Sequence, residues 1–552
     1  MGENSEESVD IPSYIDPKTG ARLWRPQLTA TTDQREKTLY HKPSAVIPIV
    51  FIPGIMGTNL RTRGKNDAVW RPPNTVGGKL SAAFTWIWRG PKTRQGLLDM
   101  NAVEVDPTGP IDVGNSGIST AVASARGWGA AMQSSYHPIM ALMQKRLNAI
   151  AFFSSGAPLK SPTASVTLHD GWKKDGLNDP AEYGERRKSP ALTHDELVRA
   201  AHYRFDVWCA GYNWLQSNRQ SGLDVRDYIE NTVLKYYKDS NIPAEKVILV
   251  THSMGGLVSR ALTEIHGYDK VLGVVSGVQP ATGAPAFYHH ARCGYTGLEQ
   301  VVLGRNAGEV VAVIANAPGA LELAPTFDYN SGNPWLTLHD TSTHKKTLLP
   351  ATKDPYTEIY KNPAWYGLVP QGNSKYLDLS SLGGGGPIAS ARARFYKTIN
   401  MVSDFHHDIY HKYNDQTYAH YGADSRRDSW TSIEWVGEVS KMGSEYFDDQ
   451  NGNYSRTEII PTPMGAVTST ITGASLRSGE GGSGDSTVPI LSGAAPGMAG
   501  VKTSFRHGNM GGGTFNKAEG YDHQSSYNDS RAQWATLYSI AKLAQLADWH
   551  AQ

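Results

Sequence analysis

One stretch constrains the fold of this chain more than any other: Lys246-Val-Ile-Leu-Val-Thr-His-Ser253-Met-Gly-Gly-Leu-Val-Ser-Arg260. Val247 to Val250 are apolar and mostly β-branched, the pattern of a buried parallel strand. A tight turn, His252-Ser253-Met254-Gly255-Gly256, follows at once. Leu257, Val258, Ala261, Leu262 and Ile265 then recur at helical spacing. A serine on such a turn lies beside the first N–H groups of the helix, which lack partners and favour developing negative charge. The small residues at 255 and 256 let strand and helix approach closely. An ordinary strand-turn-helix with a surface serine would share this local pattern, so the rest of the chain has to separate the two readings.

Upstream, Val46-Ile-Pro-Ile-Val-Phe-Ile52 reads as a strand, with Pro48 suited to its beginning rather than its middle. It runs into Pro53-Gly-Ile-Met-Gly57-Thr-Asn-Leu60. Tyr203 to Trp208 and Val271 to Ser276 read as further strands. Val225, Tyr228, Ile229, Thr232, Val233 and Tyr236 place a helix ahead of the serine strand. Strands alternating with helices predict an α/β fold, a mostly parallel central sheet with helices on both faces. Ligands bind such sheets at the carboxyl ends of the strands. Ser253 and the Pro53-Gly54 turn both emerge there.

The rhythm breaks in several places, and the breaks divide the chain. Residues 1–44 are polar and proline-punctuated, an N-terminal arm. Residues 45–285 are the first part of the core, with insertions at about 61–130 and 157–192. The first insertion carries Trp70, Phe84, Trp86 and Trp88 and reads as a large loop or part of a lid. A short helix fits Pro138 to Leu147. Residues 286–394 form a cap or lid insertion that ends in the hinge Gly383-Gly-Gly-Gly-Pro387. Residues 395–552 complete the core. They open with Phe395 to Val402 as its next strand and close with a helix from Arg531 to Trp549.

Charge excludes some functions. Lys+Arg number 53 and Asp+Glu 52, a net charge of +1, which argues against nucleic acid as a partner and predicts no basic field for membranes. The two cysteines, Cys209 and Cys293, make no disulfide framework, and no Cys/His spacing suggests zinc. Scattered loop carboxylates leave a calcium site open, without a spacing that demands one, and otherwise no cofactor and no metal is expected. Met1 to Asp10 is acidic and polar, without the basic and apolar regions of a secretory signal. No apolar run reaches the length of about 18 residues that a membrane helix needs. The expectation is a protein cytoplasmic in its producer, or one exported without a cleaved signal.

A serine hydroxyl is a poor nucleophile near neutral pH and needs a base, which in turn needs an orienting carboxylate. Asp485, in Gly484-Asp-Ser-Thr-Val-Pro489, is the favoured acid, and Asp404, in Val402-Ser-Asp-Phe-His406, the alternative. His523, in Gly520-Tyr-Asp-His-Gln524, is the favoured base, and His507 the alternative. Asp522 is too close to His523 for the usual arrangement. His252 adjoins the serine and points away from it, so it reads as a packing residue or one that supports the site from behind, and not as the base. Backbone N–H groups of Ile55 or Met56, with that of Met254, are candidates for an oxyanion hole, each donor worth roughly 3 kcal/mol of barrier.

These motifs resemble the lipase branch of the α/β-hydrolases, in which nucleophile, acid and histidine follow in that order. The chain is similar to the lecithin:cholesterol acyltransferase and PGAP1-like families in Ile52-Pro-Gly-Ile-Met-Gly-Thr-Asn-Leu60, His252-Ser-Met-Gly-Gly256, Gly484-Asp-Ser-Thr-Val-Pro489 and the late His523. Thr251 departs from the G-x-S-x-G pattern. The resemblance implies a Ser-His-Asp triad acting on the carboxylic esters of lipids or phospholipids. Alternatives are a carboxylesterase or acyltransferase of the same fold, or a catalytically silent binding protein. The large insertions and the absent signal also resemble type VI secretion lipase effectors. That implies an immunity protein or secretion-apparatus partner and action in the periplasm of a target cell.

Overall fold

The computed structural model describes residues 9–15, 22–24, 37–40, 45–72, 89–153, 166–295, 304–380, 388–437, 460–462, 465–470, 482–508 and 520–549. The expected aromatics Phe84, Trp86 and Trp88 and the glycine hinge at 383–387 lie outside those residues.

Six strands form the central sheet: β1 (Val46–Ile52), β2 (Arg204–Cys209), β3 (Val247–His252), β4 (Val271–Gly277), β5 (Thr417–Gly422) and β6 (Thr503–His507). Their order is β2-β1-β3-β4-β5-β6, and every pairing is parallel. β1, β3 and β4 are buried along their whole length, as their unbroken apolar runs require. The chain passes outward from β1 to β2, then crosses back to β3. The reversal leaves a crevice between the carboxyl ends of β1 and β3, the usual ligand position in such sheets. Pro48 is the third residue of β1, yet the first β1–β3 pair is Ile49 with Ile248, so its missing N–H falls outside that ladder.

Both edges of the sheet are covered, which blocks pairing with another chain. Helix α1 (Gln133–Leu147) lies along β2. Gln144 Oε1 accepts from the N–H of Val207 at 2.9 Å, and Asn148 Oδ1 accepts from that of Phe205 at 3.0 Å. At the other edge the N–H of Arg506 donates to the carbonyl of Gly184 at 2.9 Å.

Phe395 to Val402 is not a strand. It lies inside the helix Ile388–Asp408. Ala391, Phe395, Ile399 and Val402 are buried at steps of four and three, while Arg394, Lys397 and Met401 face solvent. That helical period, sustained across the whole segment, outweighs the aromatic and β-branched residues between Phe395 and Val402 that favour a strand. The next core strand is β5. A second, mixed sheet draws strands from Leu336–Asp340, Lys346–Leu349, Ile433–Gly437, Ile460–Thr462 and Gly465–Thr470. It adjoins a separate apolar cluster that includes Tyr288, Leu321, Trp335, Ile359, Phe395 and Trp435. This cluster thus draws on residues to either side of 394. The N-terminal arm contributes three short strands, Val9–Ile15, Arg22–Trp24 and Lys37–Tyr40, which form one small sheet.

The last helix, Ser530–Leu543, packs Leu537, Ile540, Ala541 and Leu543 into the main core. Beyond it, the Trp549 indole donates to the carbonyl of Val46 at 3.0 Å, which joins the end of the chain to the start of the sheet.

Candidate active site

Ser253 follows β3 with φ of 52°, a left-handed conformation that costs energy for any residue with a Cβ. Its neighbours hold it there. The N–H of Ser253 donates to the carbonyl of Gly277 at 2.8 Å, and its own carbonyl accepts from the N–H of Gly256 at 2.9 Å. The turn demands glycine on two sides. A Cβ on Gly255 would lie 2.5 Å from the carbonyl oxygen of Ile52, and one on Gly54 would lie 3.0 Å from the Cβ of Ser253. The serine elbow and the loop after β1 are therefore in direct contact.

The acid arrives by a different route. After β5 the chain leaves at Asp424 and returns at Gly484, where the Asp424 N–H donates to the Gly484 carbonyl at 2.9 Å. That closure sets Asp485 at the mouth of β5. Its Oδ1 accepts from the N–H groups of Thr487 and Val488 at 3.1 and 2.7 Å, which fixes the carboxylate plane. Its own N–H donates to Ser429 Oγ at 3.2 Å. The histidine comes from the loop after β6, and its N–H donates to the Asp485 carbonyl at 2.8 Å.

The three side chains meet in series. Asp485 Oδ2 lies 2.8 Å from His523 Nδ1, and His523 Nε2 lies 2.9 Å from Ser253 Oγ. A carboxylate accepts, so Nδ1 carries the proton and Nε2 presents its lone pair to the serine hydroxyl. Ser253, His523 and Asp485 are 5%, 8% and 1% exposed, which keeps bulk water from competing for these bonds. Burial by itself lowers the proton affinity of His523. The Asp485 charge, its hydrogen bond and the Asp522 charge outweigh this and raise the imidazole above its ordinary value of 6.5.

The proposed oxyanion donors flank this chain. Gly54 to Gly57 form a turn closed by the Gly57 N–H on the Gly54 carbonyl at 3.1 Å, with Met56 at φ 58°. The Trp70 indole donates to the Met56 carbonyl at 2.7 Å and holds the turn. Met254 sits at the cap of the helix Gly255–Arg260, where the first N–H groups have no partner within the helix.

The alternatives are placed elsewhere. Asp404 is exposed on the helix Ile388–Asp408. His507 ends β6, where its Nε2 donates to the Tyr183 carbonyl at 3.1 Å, and burial pushes it down to about 4. Asp522 accepts from the N–H and hydroxyl of Ser525. Cys209 and Cys293 form no disulfide. Sequence reasoning missed Ser429, which fixes the backbone of the acid, and Tyr136, which contacts both the Gly54 loop and His252. Neither carries a local motif, since both act across long sequence separations. Among the described residues no three His, Cys, Asp or Glu side chains cluster as a metal site, and no helix is long and apolar enough to cross a membrane.

A strained serine elbow at the switch point of a parallel sheet, with imidazole and carboxylate in line behind it, defines the chain as an α/β-hydrolase. A family model of the PGAP1-like alpha/beta domain matches residues 218–332. The chain is 49% identical to a chain of the solved structure described as "The crystal structure of Tle4-Tli4 complex", with a TM-score of 0.80 over 92% of this chain and 100% of that one. At that identity and coverage this protein belongs to the Tle4 family, within the type VI lipase effectors. No curated protein sequence matches it.

Proposed function

We propose that this protein is a serine phospholipase that hydrolyses carboxylic esters of membrane phospholipids, with Ser253 as nucleophile, His523 as base and Asp485 as orienting acid. The hydrogen-bonded series Asp485–His523–Ser253 carries the reading. In the first step His523 Nε2 takes the hydroxyl proton while Ser253 Oγ bonds the ester carbonyl carbon. The Met254 N–H and the Ile55 or Met56 N–H receive the negative charge that collects on the carbonyl oxygen. His523 returns the proton to the leaving alcohol, and an acyl-serine remains. Water, deprotonated by the same imidazole, then releases the fatty acid.

As a member of the Tle4 family the protein is delivered into a target cell, and we place its substrate in the periplasmic leaflets of that cell. The relative was solved as a complex with Tli4, which supports an immunity protein as the partner that silences this enzyme in its producer. Purified protein is expected to release fatty acid from phospholipid vesicles. Ser253→Ala is expected to lower that rate by roughly a millionfold. A fluorophosphonate probe is expected to label the parent protein and not the variant. Unchanged lipolysis in Ser253→Ala would remove the proposed chemistry.

A further inference from the structure

His252, which the sequence reads as a packing or supporting residue, has a fixed hydrogen-bonding role. Its Nε2 lies 3.0 Å from the carbonyl oxygen of His523. A carbonyl only accepts, so Nε2 must carry the hydrogen. The ring is neutral, because burial and then the adjoining His523 push it down to about 3. Nδ1 is therefore a bare lone pair. The Tyr136 hydroxyl, 3.1 Å away, has to donate to it. The oxygen of that hydroxyl in turn accepts from the N–H of Gly54 at 3.2 Å. Each proton in the chain Gly54 N–H, Tyr136 Oη–H, His252 Nε2–H, His523 C=O has one direction. His252 and Tyr136 are each 1% exposed, so water does not substitute for any link. The His252 ring also packs on those of Tyr136, His523 and Tyr527, with centroids 5.2, 5.1 and 6.1 Å away.

We infer that His252 and Tyr136 are positioning residues, which tie the loop of the proposed oxyanion donors to the backbone of the proposed base. This rests on the reading of Ser253, His523 and Asp485 as a triad. The N–H of His523 is held by Asp485. Its carbonyl accepts both from the Ser526 N–H at 3.3 Å, inside the base loop, and from His252, which is the contact that ties this carbonyl to the strand of the nucleophile. Together these contacts set where the imidazole stands. The same network fixes the Gly54 peptide directly before the Ile55 and Met56 amides. One relay thus sets the distance between the group that activates the nucleophile and the group that receives the charge. Neither His252 nor Tyr136 touches the reacting atoms.

Fatty-acid release from phosphatidylglycerol vesicles by the full chain tests this, with kcat, KM and the pH profile recorded for Tyr136→Phe, His252→Leu and the double variant. Tyr136→Phe removes one hydroxyl and is expected to lower kcat about tenfold with KM unchanged. Its acid limb is expected to move to lower pH, because a looser base loop weakens the Asp485 contact that raises His523. His252→Leu is expected to cost more. Adding Tyr136→Phe to it is expected to cost less than the same change costs in the parent, since the two links act in series. Wild-type kcat and an unmoved limb in Tyr136→Phe, or fully additive losses in the double variant, would overturn the relay. If His252→Leu does not fold, the kcat and acid limb of Tyr136→Phe decide alone. Activity persisting in Ser253→Ala would instead overturn the underlying triad.

Discussion

Burial opposes the charged form of His523, and the Asp485 contact wins. In the proposed mechanism His523 must be neutral to accept the serine proton. A histidine raised above 6.5 stays protonated to a higher pH, so kcat/KM is expected to fall in acid with its half-point above 6.5. A pH–rate profile on a soluble short-chain ester checks this, and Asp485→Asn is expected to lower the rate by roughly 10⁴. Gly255 makes a second point at the same scale. A methyl group there meets the Ile52 carbonyl at 2.5 Å, and backbone cannot swing aside as a side chain does. Gly255→Ala is therefore expected to destabilise the fold by about 2 kcal/mol and to cost activity beyond that loss, because the displaced atoms carry the elbow. A denaturant titration beside labelling by the fluorophosphonate probe separates the two effects.

Among elements, β2 shows how an edge strand is anchored. Asp206 is 1% exposed and receives Arg126 at 3.0 Å, Arg204 at 2.9 Å and the Tyr237 hydroxyl at 2.9 Å. Burial raises its carboxyl, and the two guanidinium charges more than reverse this, so it lies below the ordinary 3.8. A depressed carboxyl stabilises the fold above the unfolded value and loses that contribution as the pH falls through the folded one. Asp206→Asn is expected to cost about 3 kcal/mol near neutral pH, because Arg126 keeps its charge without its partner. Unfolding curves of parent and variant are expected to converge as the pH drops below 3.8. Elements differ in how readily sequence reveals them, for physical reasons. β1, β3 and β4 are buried on both faces, so their apolar runs stand out without any tertiary information. Phe395 to Val402 misleads because eight residues, barely two helical turns, separate periods of 2 and 3.6 poorly. The second sheet is hidden further, since Leu336–Asp340 pairs with Ile433–Gly437 far away in sequence and neither segment has an unbroken apolar run. Ser253, Asp485 and His523, the proposed triad, each sit in a short motif that the sequence displays. Tyr136 carries no such signal, because its bond to His252 spans 116 residues, and only its place beside the serine marks His252.

Over the whole molecule, the sheet is complete only when distant parts of the chain have met. Trp549 reaches back to the Val46 carbonyl and packs edge-on against Tyr203, with ring centroids 5.9 Å apart. Trp549→Ala is expected to cost about 3 kcal/mol through the cavity and the lost bond, read as a lower denaturant midpoint with the pH profile unchanged. On the proposed mechanism the same long-range closure governs when the chain becomes active. A ribosome extrudes Ser253 well before Asp485, and His523 later still. A nascent or prematurely terminated chain that stops short of residue 523 holds the hydroxyl without the imidazole, so on the proposed mechanism it would leave lipid esters untouched. Synthesis past residue 523 would then mark the earliest moment at which a producer needs its antidote.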